Sequence, residues 1–550
     1  MTLLVDVFGY LTIVIHGLAI IGQSMAVGGV VFLVFLARPR AWLAGPAGAG
    51  VLSDTIRLTI WGALGLAAAE LARIGVEGGV LVGTLDLSAR SVLGADFAIA
   101  GAAKAAAALL LALLLASFGS RVPWPILLPI AALILAAGAA TPHAAARLED
   151  REFLLAVSAL HQLGAAIWIG GIPCFVAALA RIREPAAWQV IGARFSAISM
   201  TGVACIASSG LVLAWYYVGD WSGVYGTAYG VMVSAKAALF VMLLALGYGN
   251  FRTVAALRAD RNTPITRMRR FAEAEIGIGF TLFFAAASLT AVPPSIDLTQ
   301  GRVTLQEIVE RNTPRPPRLV SPDHDTLTLP ALQAQLDAEA ARNATRPAAA
   351  FVPGSGEIPA RNAEDLAWSE YNHHWSGLFV LAIGLLALAH RAGFGPARHW
   401  PLLFLGLGAF LFVRSDPEVW PMGHIGVFES LRDVEVLQHR FFLLLIILFG
   451  LFEWRVRAGG WTNRAAILVF PLVSAIGGAA LLTHSHAIAN IKEQLLIELS
   501  HTPLALAGIV AGWARWLEIR LDPPDSRIAG WVWPLCFVLV GVILLIYREA

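Results

Sequence analysis

Apolar residues in this chain run in stretches of about twenty, each closed by arginines or by acidic and small polar residues. At 1.5 Å per residue such a stretch spans a hydrocarbon core of ~30 Å, whereas a membrane-crossing strand needs only about ten residues. The pattern predicts an all-α, polytopic helical membrane protein with spans near 4–36, 54–74, 97–118, 124–142, 151–180, 191–218, 228–250, 271–292, 372–390, 399–414, 438–456, 463–484, 500–519 and 529–547. The first stretch has neither a basic n-region nor a small-residue cleavage site, so a helix is expected there and not a removed signal peptide.

Composition excludes a soluble alternative. Hydrophobic residues make up 58% and charged residues 14% of the chain, with mean hydropathy +0.71. A single soluble core of this length needs no such excess, so the bilayer is the main solvent. Cys174, Cys205 and Cys536 share no CxxC spacing, which argues against a disulfide framework or a thiolate zinc site. Basic residues are nearly all arginine, with lysine only at Lys104, Lys236 and Lys492.

Orientation follows from the loops. Arg38 and Arg40, Arg121, Arg181 and Arg183, the run from Arg252 to Arg270, Arg391 and Arg398, Arg455 and Arg457, and Arg515 and Arg520 fall in every second loop. By the positive-inside rule those loops are cytoplasmic, and both termini are then expected in the periplasm of a bacterial inner membrane. Residues 296–371 are rich in Pro, Arg, Ala and Asn, with one amphipathic helix expected from Ala331 to Arg342. Too few large apolar residues are present for a separate core, so this is expected as a periplasmic linker.

The linker separates eight helices from six. The eight divide into a tandem repeat of four plus four, residues 1–148 and 149–295. Lys104 and Lys236 open matching apolar runs in the third and seventh spans, and His16 and His161 precede Gly28-Gly29 and Gly170-Gly171. Residues 372–550 form the six-helix block.

An ionisable side chain about ten residues inside a helix lies roughly 15 Å into the membrane, a costly position that points to function. His161 is such a residue and His16 is its counterpart. Facing imidazoles are able to share a metal or a b-type haem, and a neutral imidazole bonded to a neighbouring helix serves packing equally well. The glycine pairs suit close helix approach. Lys104 and Lys236 either snorkel or pair with an acidic group. Glu70 is read as interfacial, and Glu275 as too far along the normal to reach Lys236.

From Phe195 to Pro294 the order is a Thr201-Gly202 helix, Tyr229-Gly230 followed by Lys236, an arginine-rich loop, Glu275, and LTAVPP ending at Pro294. This order resembles the copper resistance D (CopD) family, and HQLGAAIWIGG upstream resembles that family's histidine, tryptophan and double-glycine element. The resemblance covers 150–295 and, through the repeat, 1–150 more loosely. It implies an inner-membrane protein of copper uptake or resistance, partnered by a periplasmic copper chaperone. Met25, Cys174, Cys205, Lys236 and Glu275 then form a candidate transport path, since thiols and thioethers suit Cu(I).

In the final six helices His373, His374, His424, His439, His484, His486 and His501 fall on the expected periplasmic side, against His390 and His399 on the other. His374, His439, His484 and His501 come from four helix ends, and four imidazoles meet the demand of copper or zinc, with Asp433 or Glu498 behind them. Interfacial histidines also need no metal. The leading expectation is thus a copper-binding transporter or resistance protein, ranked ahead of an enzyme, with copper as the ion. A membrane oxidoreductase holding haem or a metal centre is the alternative, and a scaffold for the chaperone is a third reading. No phosphate-binding loop or nucleic-acid motif is present in the sequence.

Overall fold

The computed structural model describes residues 2–85, 87–140, 149–298, 300–342, 361–431, 434–461, 463–483 and 491–549. Among them the chain is all helix, with one isolated bridge between Val419 and Ile425. Among the described residues thirteen helices are long and apolar enough to cross a membrane. The fourteenth expected span, at 124–142, appears as the shorter helix Trp124–Ala139. Its 16 residues rise roughly 24 Å at 1.5 Å each, less than the full hydrocarbon thickness. The protein is a multi-pass membrane protein.

Two compact units form. The first, Leu3–Arg302 with Arg520–Asp522, holds α1 (Thr2–Phe32), α2 (Gly48–Leu85), α3 (Asp96–Phe118) and α4 (Trp124–Ala139). These are followed by α5 (Arg151–Arg181), α6 (Pro185–Val218), α7 (Ala228–Ala259) and α8 (Thr266–Leu289). A π turn follows α1 at Leu33–Ala37, and another lies within α5 at Ala166–Gly170. The glycine pairs explain how α1 and α5 cross. A Cβ on Gly28 would stand 2.6 Å from the Gly170 carbonyl carbon, and one on Gly29 would stand 3.0 Å from Thr59 Cβ. Only glycine lets backbones meet this closely.

The second unit comprises Val303–Ile519 and Pro523–Ala550. It begins with α9 (Leu305–Asn312) and α10 (Thr328–Arg342). Thr304 and Glu307 make a reciprocal cap at the start of α9, satisfying amides that would otherwise lack partners. The six further helices are α11 (Ala363–Arg391), α12 (Leu403–Arg414), α13 (Val434–Arg457), α14 (Val469–Thr483), α15 (Ile491–Arg520) and α16 (Asp525–Leu545). Their core is aromatic: Trp400, Phe404, Phe470 and Trp533 pack together, with Trp400 and Trp533 ring centres 5.4 Å apart.

Part of the segment expected as a linker is folded against this unit. The Arg318 amide donates to His374 Nδ1 at 2.7 Å, the Thr328 amide to Asp365 at 3.1 Å, and the Arg548 guanidinium to the Glu310 carbonyl at 2.9 Å. Backbone hydrogen bonds, with only Val303 and Leu327 as fully buried apolar anchors, hold 303–342, which is why hydrophobic content alone did not reveal it. Residues 343–360 lie outside the described set.

Candidate functional site

Helices α5 to α8 place polar groups at two levels of an otherwise apolar bundle. At one level His161 Nδ1 lies 3.0 Å from Ser209 Oγ. The single Ser209 proton goes to the Cys205 carbonyl, so the hydroxyl accepts and Nδ1 carries the imidazole proton. Nε2 is then the lone-pair nitrogen, the form in which histidine binds metals. Lys236 is the cation whose charge reaches His161. Next to it, Gln162 accepts from Gln23 of α1 at 2.7 Å, which ties the two repeats together.

Toward the arginine-rich end, Asn250 donates to buried Glu275 at 2.6 Å, and the Trp168 indole is a second hydrogen-bonding neighbour. Buried Trp168 also meets Phe240 edge-on at 5.9 Å. Asn250 lies 14 residues beyond Lys236 on α7, roughly 21 Å along the axis. The reading that Glu275 does not meet Lys236 agrees with this separation. Cys174 is fully enclosed, Cys205 lines the α5–α6 crossing at Gly164, and Met25 packs on Gly62.

Helices α2 and α3 gather their charges differently. Glu70, read as interfacial, is fully buried and ion-paired to Lys104 and, at 3.0 Å, to Arg73. Burial of a lone lysine and arginine in the membrane would be prohibitive, and the shared carboxylate offsets it. The signal was present in the sequence: Glu70 and Arg73 share one helix face, and Lys104 follows on the next helix. Gly62 and Gly202 mark matching helix crossings, and eight residues beyond each stand Glu70 and Gly210. Gly210 faces His161, with a built Cβ 3.5 Å from the imidazole. Lys236 consequently has no counterpart of Glu70. His16 feels the charges of Lys104 and Arg73, where His161 feels that of Lys236.

In the second unit the histidines divide. His374 is buried, with Nδ1 accepting from the Arg318 amide and Nε2 donating to the Tyr547 carbonyl at 2.9 Å. Both nitrogens are spent, so His374 anchors the chain and offers no lone pair. His439 pairs with Asp416 at 2.7 Å. His373 and His501 are brought together, with ring centres 6.1 Å apart, and His373 stacks on Tyr547. Each donates Nδ1–H to a carbonyl one turn earlier, Ser369 and Ile497. His424 is exposed. His484, His486 and Asp433 lie outside the described residues, and among those described no three His, Cys, Asp or Glu side chains are grouped to hold a metal ion. His390 and His399 lie at the opposite helix ends.

Residues 189–289 match the family described as Copper resistance protein D, and this region covers most of α6 with all of α7 and α8. A stretch of 164 residues is 34% identical to the copper transport protein CutJ of Bacillus subtilis (strain 168), covering 29% of this chain and 29% of that relative. No solved structure matches.

Proposed function

We propose that this protein handles copper at a bacterial inner membrane, in uptake or resistance, receiving the ion at the periplasmic face and passing it into or across the eight-helix unit. The observation that carries this reading is the coincidence of the CopD-matching residues 189–289 with the helices that bury Ser209 and Glu275 and carry half-buried Lys236 and Asn250 beside them. His161, held by Ser209, is the ligand at the entry level, with Cys174, Cys205 and Met25 as soft neighbours along the bundle. The outer pair His373 and His501, with His439, is the receiving surface. A periplasmic chaperone delivers copper there, and both termini lie on that side.

Cellular copper provides the test. A strain expressing the chain should differ from the empty-vector strain in copper accumulation and copper tolerance. The H161A strain should return to the vector value at unchanged membrane abundance. Identical accumulation and tolerance with and without the chain would refute the proposal.

A further inference from the structure

At the arginine-rich end of the second unit, a cavity of about 420 Å³ is lined by Ala387, His390, Arg391, Arg457, Glu518, Arg527, Trp531 and Trp533. Three helix ends converge on it: Arg391 and Arg457 are the last residues of α11 and α13, and Arg527 lies in the first turn of α16. Arg515 of α15 stands behind them. Four guanidiniums therefore meet two carboxylates, Glu453 and Glu518.

Those carboxylates are already engaged. Glu518 accepts from Arg515 at 2.6 Å, from the Trp533 indole at 2.7 Å, and from Arg391. Glu453 accepts from Arg457 Nε at 2.7 Å and from Arg515 at 3.2 Å. Four guanidiniums against these two carboxylates leave a local positive excess. Arg457 Nη2 is enclosed and has no hydrogen-bond partner among the described residues, and a buried guanidinium donor without an acceptor is costly. Arg527 lines the cavity outside the Glu453 and Glu518 network. The Arg457 guanidinium lies 5.4 Å from the Trp533 ring centre and that of Arg391 5.6 Å from Trp531, which fixes both planes. Fixed guanidinium planes suit the tetrahedral, multiply accepting oxygens of phosphate better than a point charge does.

We propose that this cavity binds a phosphate-bearing anion, with Arg457 and Arg527 as the principal donors. Its volume accommodates a phosphodiester head group or a free phosphate. Its place at the ends of apolar helices beside half-exposed Trp531 is where lipid head groups lie. The site is independent of the copper reading.

The test uses the full chain in dodecyl maltoside micelles, which contain no phosphate. Native mass spectrometry measures retention of phosphatidylglycerol, and calorimetry measures binding of inorganic phosphate. Wild-type protein should bind one equivalent of at least one probe, and R457Q and R527Q should each weaken it at least tenfold. Binding of phosphatidylglycerol alone identifies a lipid head group, and binding of phosphate identifies a soluble anion. If R457Q proves polydisperse, R527Q decides, because among the described residues the Arg527 side chain makes no ion pair and only its backbone carbonyl, which the substitution keeps, accepts from Arg391. No binding of either probe, or equal binding by wild type and R527Q, overturns the proposal.

Discussion

Replacing Glu70 with Gln removes the carboxylate shared by two buried cations. Glu70 is fully enclosed, Lys104 is 3% and Arg73 7% exposed, so water cannot take over the lost interactions. Breaking a buried pair by deleting one partner costs about 3–5 kcal/mol. Glu70 serves two cations, which places the E70Q variant at the upper end of that range. Apolar replacement of the whole cluster, as in Glu70→Leu with Arg73→Met and Lys104→Met, removes the stranded charges as well and should recover most of the loss. Unfolding in SDS, followed by tryptophan fluorescence, gives the free energies of wild type, E70Q, K104M, the E70Q/K104M pair and the triple variant. The pair should be less destabilised than the sum of its singles by about 0.5–3 kcal/mol. Additive losses, or an E70Q variant as stable as wild type, would refute the claim that this cluster is a compensated buried network.

On α7 Lys236 has no such ion-pair partner among the described residues, so K236M should preserve stability within about 1 kcal/mol while lowering copper accumulation; a loss of folded protein in parallel with activity would count against it. For His374→Ala, two backbone hydrogen bonds disappear at about 0.5–1.5 kcal/mol each, and limited proteolysis should cut residues 303–342 faster with copper content unchanged. Asp220, in the loop after α6, is held down to about 2 from its ordinary 3.8 by the Ser222 hydroxyl, the Gly223 amide and Arg302, against the burial that would raise it. A lowered carboxylate contributes stability above its unfolded value and loses it as pH falls through the folded one. Hydrogen exchange around 295–302, corrected for intrinsic rate, should therefore lose protection between pH 4 and pH 2, and constant protection would remove Asp220 as the clip.

The helices were legible because hydrocarbon thickness imposes their length: thirteen long helices and one shorter helix fall at the expected spans. The glycine crossings of α1 and α5 were legible for a similar reason, since paired small residues at membrane depth serve close approach. What local pattern could not supply was partnership across helices. Glu70 reads as interfacial until Lys104 and Arg73 close on it. His374 reads as a ligand until Arg318 and Tyr547 occupy both of its nitrogens. His161 differs because its restraint comes from Ser209 on the next helix, and the tautomer this leaves is the metal-competent one. The division of the last histidines into the His373–His501 pair and the His439–Asp416 pair depends on how six helix ends meet, which periodicity does not encode.

Copper content of the purified chain tests the central claim most directly. Wild-type protein in lipid nanodiscs, loaded with Cu(I) under reducing conditions and desalted, should retain copper by elemental analysis. H161A should retain at least one equivalent less, while its elution profile and helical content match wild type. A wild-type chain that retains no copper, or an H161A variant that retains as much as wild type, would contradict the account.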